Sequence, residues 1–179
     1  QDLHGQNLPI LFRYISIPLA WPLTYVLANI GVSANGATVL RLAITLAAFA
    51  AIASGSAQYY PVGIAAFFAS IILDNVDGQI ARVRDNASYY GKFFDGVVDS
   101  IAEAGLPFFL GVYLFIASGM ADTLILGAVG GLSHAMSQLV MLRYGLISAE
   151  ATRSDKTGSR PHPYIRALFA TFPFKWLSH

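Results

Sequence analysis

The sequence predicts an all-α integral membrane protein, a helical bundle with at least four transmembrane helices. Composition is the first reason: of 179 residues, 55% are hydrophobic and only 12% charged, where soluble domains carry about 25% charged residues. The second is a positive mean hydropathy. The third is segmentation. Four stretches, about 36–54, 61–83, 92–118 and 121–146, approach or exceed the roughly 20 apolar residues that cross a bilayer. Each is expected to be helical, because lipid offers no partner to unpaired backbone N–H and C=O groups.

The flanking segments follow in order. Residues 8–30 are apolar but interrupted by Pro9, Pro18, Pro22 and Arg13. They are read as an N-terminal helix lying along the membrane interface, with a broken fifth span as the alternative. Residues 1–147 then form the membrane-embedded domain. Residues 148–163 (SAEATRSDKTGSRPHP) read as a polar cytoplasmic linker. Residues 164–179 are too short to span and carry Arg166 and Lys175 among aromatics, which suits an amphipathic interfacial segment. No charged n-region precedes a short apolar core and a cleavage site, so no signal peptide is expected. The absence of cysteine excludes disulfides, thiolate metal sites and cysteine nucleophiles. A net charge of +1 carries no signal for nucleic acid, and no nucleic-acid partner is expected.

Charge placement predicts orientation. Arg13 and Arg41 precede or begin the first span, Arg82, Arg84 and Lys92 flank the turn after the second, and Arg143, Arg153, Lys156, Arg160, Arg166 and Lys175 end or follow the fourth. The opposite loops, 55–60 and 119–122, have no Lys or Arg. The positive-inside rule places the basic side in the cytoplasm.

Four aspartates interrupt the apolar pattern. Asp74, Asp77, Asp95 and Asp99 lie between Ile71-Ile72-Leu73 and Gly105-Leu106-Pro107-Phe108-Phe109. An ionised carboxylate in lipid costs at least a few kcal/mol, and clustered carboxylates repel. A pair of divalent cations is the economical compensation. Asp74 and Asp77 (i, i+3) share one helix face, as do Asp95 and Asp99 (i, i+4). The polar turn at 85–88 makes their helices antiparallel neighbours. Counting outward from it, Asp77 faces Asp95, and Asp74 faces Asp99 one turn deeper. Two facing carboxylate pairs could hold two cations about 3.5–4 Å apart. All-oxygen ligands favour Mg²⁺ or Mn²⁺, with Ca²⁺ as a substitute or inhibitor.

The full pattern is two aspartates at i, i+3, then Gly78, Ala81-Arg82, Gly91, and two aspartates at i, i+4. These eight identities at fixed spacing resemble the signature of the CDP-alcohol phosphotransferase family position for position. Val32-Ser33-Ala34-Asn35 with Thr38 resembles the start of that family's first span, with Ala34 in place of the usual proline. The likeness extends to about residue 145 and fades beyond 150. The family usually has six spans, and this sequence supplies four.

The resemblance implies a transferase of phospholipid biosynthesis. An acceptor hydroxyl attacks the phosphorus bearing the alcohol of a CDP-alcohol, and CMP leaves. Asp74, Asp77 and Asp95 are then the principal metal ligands. Asp99 is the general base and a further metal contact. Gly78, Ala81 and Arg82 hold the cytidine diphosphate, and bare backbone at Gly78 and Gly96 lets a pyrophosphate approach. Asn35 and Thr38 touch the nucleotide or cap the first span. Arg143 meets an anionic donor or acceptor. Glu103, one turn past Asp99, and the polar patch Ser133, His134, Ser137 and Gln138 are secondary candidates for substrate contact or interhelical bonding.

CDP-diacylglycerol with a small polar alcohol is the leading substrate pair; a soluble CDP-alcohol with a lipid alcohol is the alternative. The resemblance also implies a homodimer, for which the small-residue stripe Gly127, Gly131 and Ala135 is one candidate surface and intramolecular packing the other. The expected location is a bacterial or archaeal inner membrane, with the site near the cytoplasmic face. A divalent-cation transporter lined by the same carboxylates is the competing class. Arg82 argues against it, since a cation path has no use for a phosphate-binding arginine.

Overall fold

The computed structural model describes residues 17–84 and 88–156. Among them are five helices and no strand: α1 (Ile17–Asn29), α2 (Ala34–Ala53), α3 (Tyr59–Val83), α4 (Tyr89–Ser118) and α5 (Ala121–Lys156). Four are long and apolar enough to cross a membrane, over Ala34–Ala53, Tyr59–Val83, Tyr89–Ser118 and Ala121–Ala149. The all-α membrane fold is as expected, with boundaries within about three residues of those read from the sequence. The chain forms two units, Gln1–His134 and Ala135–His179.

Local chemistry sets the helix ends. Ser33 caps α2 by accepting from the Gly36 N–H at 3.1 Å, and Ser88 caps α4 by accepting from the Gly91 N–H at 2.9 Å. Gly119 closes α4 in the left-handed region at φ 73°, where a Cβ is costly. Short connections alternate the direction of successive spans. The start of α2, the end of α3 and the start of α4 therefore share one end of the first unit.

The core of that unit lies where α2, α3 and α4 meet. Phe49 stacks on Phe67 and Phe109 with ring centroids 5.9 and 4.6 Å away. It packs against Ala48 and Ala102, and Gly105 leaves room for its ring. A second cluster joins Ala20 of α1 and Ala37 of α2 to Leu73, Val76 and Ile80 of α3. Helices α4 and α5 approach backbone to backbone. A Cβ on Gly111 would come within 2.7 Å of the Gly127 Cα, and one on Gly131 within 2.6 Å of the Ala104 carbonyl. Gly127 and Gly131 thus pack within the chain.

The 13 described residues of α1 run for about 20 Å. The helix buries Ala20 and Thr24 and leaves Trp21 and Tyr25 exposed. The single-donor Thr24 hydroxyl lies 2.8 Å from the Ala20 carbonyl and 2.7 Å from the Gln79 side-chain amide on α3. Residues 8–16 of the expected interfacial helix and the whole 164–179 segment lie outside the described residues.

In the second unit, α5 continues as helix to Lys156, through the start of the stretch expected to be linker. Ala, Glu, Arg and Lys are good helix formers, so Ala149-Glu150-Ala151-Thr152-Arg153 extends the helix despite its polarity.

Candidate active site

The signature residues converge at the shared end of α2, α3 and α4. Asp74 and Asp77 lie on α3, Asp95 and Asp99 on α4, and each pair faces inward as its spacing requires. Oxygens of Asp74, Asp95 and Asp99 come within 4.8 Å of one another. Asp77 stands apart. Its Oδ2 accepts a 2.7 Å hydrogen bond from the Thr38 hydroxyl of α2. The carboxylates are therefore grouped as three and one, where the sequence suggested two facing pairs.

The cause is Arg41. It lies about two turns inside α2, with 5% of its side chain exposed. Its Nη1 donates to Oδ1 of Asp74 at 2.7 Å and to Oδ1 of Asp95 at 3.1 Å, and its Nη2 donates to Oδ1 of Asp99 at 2.5 Å. Sequence reasoning counted Arg41 only among the basic residues that set orientation and looked to divalent cations for the compensating charge; the structure adds Arg41 itself as a buried partner of three aspartates. The missed signal was a charge inside an apolar span, which faces the bundle and pairs.

Above this cluster opens a cavity of about 630 Å³. Helix α2 contributes Ala34 and Asn35; α3 contributes Asp77, Gly78, Ala81 and Arg82; α4 contributes Ser88, Tyr89, Gly91, Lys92 and Asp95. Every signature position assigned to the cytidine diphosphate thus lines one concave space, together with Asn35. Ser33 does the capping that was offered as the alternative role for Asn35 and Thr38. The Arg82 guanidinium folds back over Gly78, 3.4 Å from where a Cβ would stand. A Cβ on Gly91 would meet the ends of two side chains, the Asn35 Oδ1 at 2.9 Å and the Ser88 Oγ at 3.1 Å. Tyr89 and Lys92 are lining residues the sequence did not single out.

Other candidates fall elsewhere. Asp74 and Asp99 do not line this cavity. Their side chains are 26% and 40% exposed beside it. Gly96 has no atom within 4 Å of an added Cβ and does not line the cavity. Glu103 pairs with His134 through a 2.8 Å Oε2–Nε2 contact between α4 and α5. Arg143 is an exposed residue of the second unit.

The donor set suits a hard divalent cation. Among the described residues, Arg41 engages one oxygen, Oδ1, of each of its three aspartates, and the three Oδ2 atoms remain for ligation. Carboxylate oxygens are the ligands Mg²⁺ and Mn²⁺ take.

A protein-family model described as CDP-alcohol phosphatidyltransferase matches residues 31–176, well past the point near 145 where the motif resemblance fades. No curated protein and no solved structure matches the chain.

Proposed function

The chain belongs to the CDP-alcohol phosphatidyltransferase family, and on that premise we propose that it moves a phosphatidyl group from CDP-diacylglycerol to the hydroxyl of a small polar alcohol, releasing CMP. Membership itself implies transfer of a phosphoalcohol group from a CDP-alcohol. The observation that supports a CDP-alcohol here is the cavity, which Arg82 and Lys92 line together with Gly78, Asp77 and Asp95. Cations beside bare backbone suit a diphosphate, and Arg82 can fork onto its oxygens. Among the described residues, the nearest group to an added Cβ at Gly78 is the Arg82 guanidinium, at 3.4 Å, so a diphosphate laid against that backbone would meet it.

Family members are generally divalent-metal dependent. Asp74, Asp77, Asp95 and Asp99 would hold two Mg²⁺ or Mn²⁺ ions. When bound, such ions neutralise the diphosphate and align it for in-line displacement. Asp99 takes the proton of the acceptor hydroxyl as the new oxygen–phosphorus bond forms and the bond to CMP breaks. Its carboxylate is part-exposed and outside the cavity, which suits an acceptor arriving by a route other than the nucleotide's.

The cavity end also carries Arg82, Arg84 and Lys92, while the loops at the opposite end carry no Lys or Arg. This supports a site near the cytoplasmic face. A homodimer remains part of the reading, with an interface away from the α4-packed glycines. The deciding experiment incubates purified protein with CDP-diacylglycerol, Mg²⁺ and a panel of glycerol phosphate, inositol phosphate and serine. CMP release with a new phospholipid by mass spectrometry is the expected result. CMP release only from a soluble CDP-alcohol with a lipid alcohol would reverse donor and acceptor. Divalent-cation flux without CMP would replace the transferase with a transporter.

A further inference from the structure

Arg41 is a buried cation committed to three carboxylates on two other helices. Its two terminal nitrogens make all three contacts, and its buried Nε has no partner among the described residues. An unmet buried donor costs free energy, so the guanidinium is held by the carboxylates at the expense of Nε. The planar fork of arginine can serve three acceptors in this way, whereas lysine presents one compact charge. Formally the three aspartates and Arg41 leave two negative charges, and without Arg41 there would be three, with oxygens within 4.8 Å. Like charges this close repel one another, the more so around a guanidinium that is 5% exposed.

We propose that Arg41 is a resident counter-cation: it holds Asp74, Asp95 and Asp99 together when no divalent ion is bound, so that α2, α3 and α4 assemble, and the metal site is arranged, before metal arrives. The inference rests on reading the cluster as the metal site of the proposed transferase. Arg41 touches ligands rather than substrate, so its role is positioning.

Thermal unfolding of the full chain in detergent, with EDTA or with saturating Mn²⁺, tests this without measuring activity. R41M keeps an unbranched side chain of moderate length and removes the charge. In EDTA its Tm is expected to fall by about 10 °C, as for the breaking of a buried ion network in a chain of this size. Mn²⁺ should recover at least half of that loss and should raise the wild-type Tm less, because binding to the folded state supplies the missing positive charge. R41K should fall between wild type and R41M. Adding D74N and D99N to R41M removes two of the repelling charges, and the triple variant should melt well above R41M in EDTA.

An R41M variant that melts like wild type in EDTA overturns the proposal. So does a loss that D74N and D99N leave unrelieved, which is the signature of lost packing alone. If R41M cannot be recovered folded, the triple variant decides: folded in EDTA it supports the proposal, unfolded it overturns it. If Mn²⁺ shifts none of the proteins while D74N and D99N still rescue R41M, the counter-cation role stands and the metal-site reading falls.

Discussion

The Thr38 hydroxyl on α2 donates a 2.7 Å hydrogen bond to Oδ2 of Asp77 on α3. That bond sets Asp77 apart from the three aspartates around Arg41 and holds it at the wall of the cavity. Asp77 therefore belongs both to the signature and to the space proposed for the nucleotide.

Replacing Thr38 with valine keeps the shape and deletes the donor. A hydrogen bond to a charged group contributes about 1.5–3 kcal/mol, and about 1.4 kcal/mol corresponds to tenfold in rate. The expected result is CMP release slowed about tenfold or more, with the protein still folded. Turnover measured beside a thermal melt checks this, and wild-type turnover in T38V would remove Thr38 from the site.

Asp74→Asn and Asp95→Asn each remove one charge and one ligand at nearly constant volume. Both should lose Mn²⁺ binding and CMP formation together. Titration of Mn²⁺ by electron paramagnetic resonance, run alongside turnover, reads both. Normal binding in both variants would mean that the metal is held elsewhere.

Asp99→Asn should hurt chemistry more than nucleotide binding. The amide keeps the shape and loses the basicity, and a positioned base contributes roughly a hundredfold or more. At saturating Mg²⁺, affinity for the CDP portion should stay near wild type while turnover falls by that factor. Equal losses in both would make Asp99 a ligand rather than a base. The search for a base would then pass to Glu103 and His134, which already contact each other.

Much of this organisation was legible in the sequence. Apolar length alone predicts the four spans, and spacing alone puts each aspartate pair on one inward face. What spacing cannot give is the crossing partner. Arg41 and Thr38 lie on α2, 33 and 39 residues before Asp74 and Asp77, and only the packing of α2 into the α3–α4 groove joins them. Gly96 misled for a related reason: its place after an aspartate matched that of Gly78, but it turns away from the cavity. The helical run to Lys156 was hidden because polarity signals a linker and helix propensity does not.

The glycines separate by what surrounds them. Gly96→Ala meets nothing within 4 Å and should stabilise α4 slightly, by up to about 1 kcal/mol. Gly111→Ala would press on the Thr123 carbonyl and the Gly127 Cα, both at 2.7 Å, and should destabilise by about 1–3 kcal/mol. Gly91→Ala meets only side-chain ends, Asn35 and Ser88. It should raise KM for the CDP-alcohol several-fold while changing Tm little. Melting curves and substrate titrations of the three variants check the ordering, and a Gly96→Ala that melts below Gly111→Ala would contradict it.

Helix α1 ends at Asn29, before the family match begins at residue 31. Yet Ala20 and Thr24 form the wall behind α3, with Thr24 bonded to Gln79, the residue next to Gly78. The boundary of family likeness and the boundary of the folding unit therefore do not coincide. A chain trimmed to the matched segment would keep every signature residue and strip the backing from the helix that carries five of the eight. Ile80 and the Gln79 amide would be left bare. Any transplant of this signature into another scaffold must bring its own substitute for that buttress.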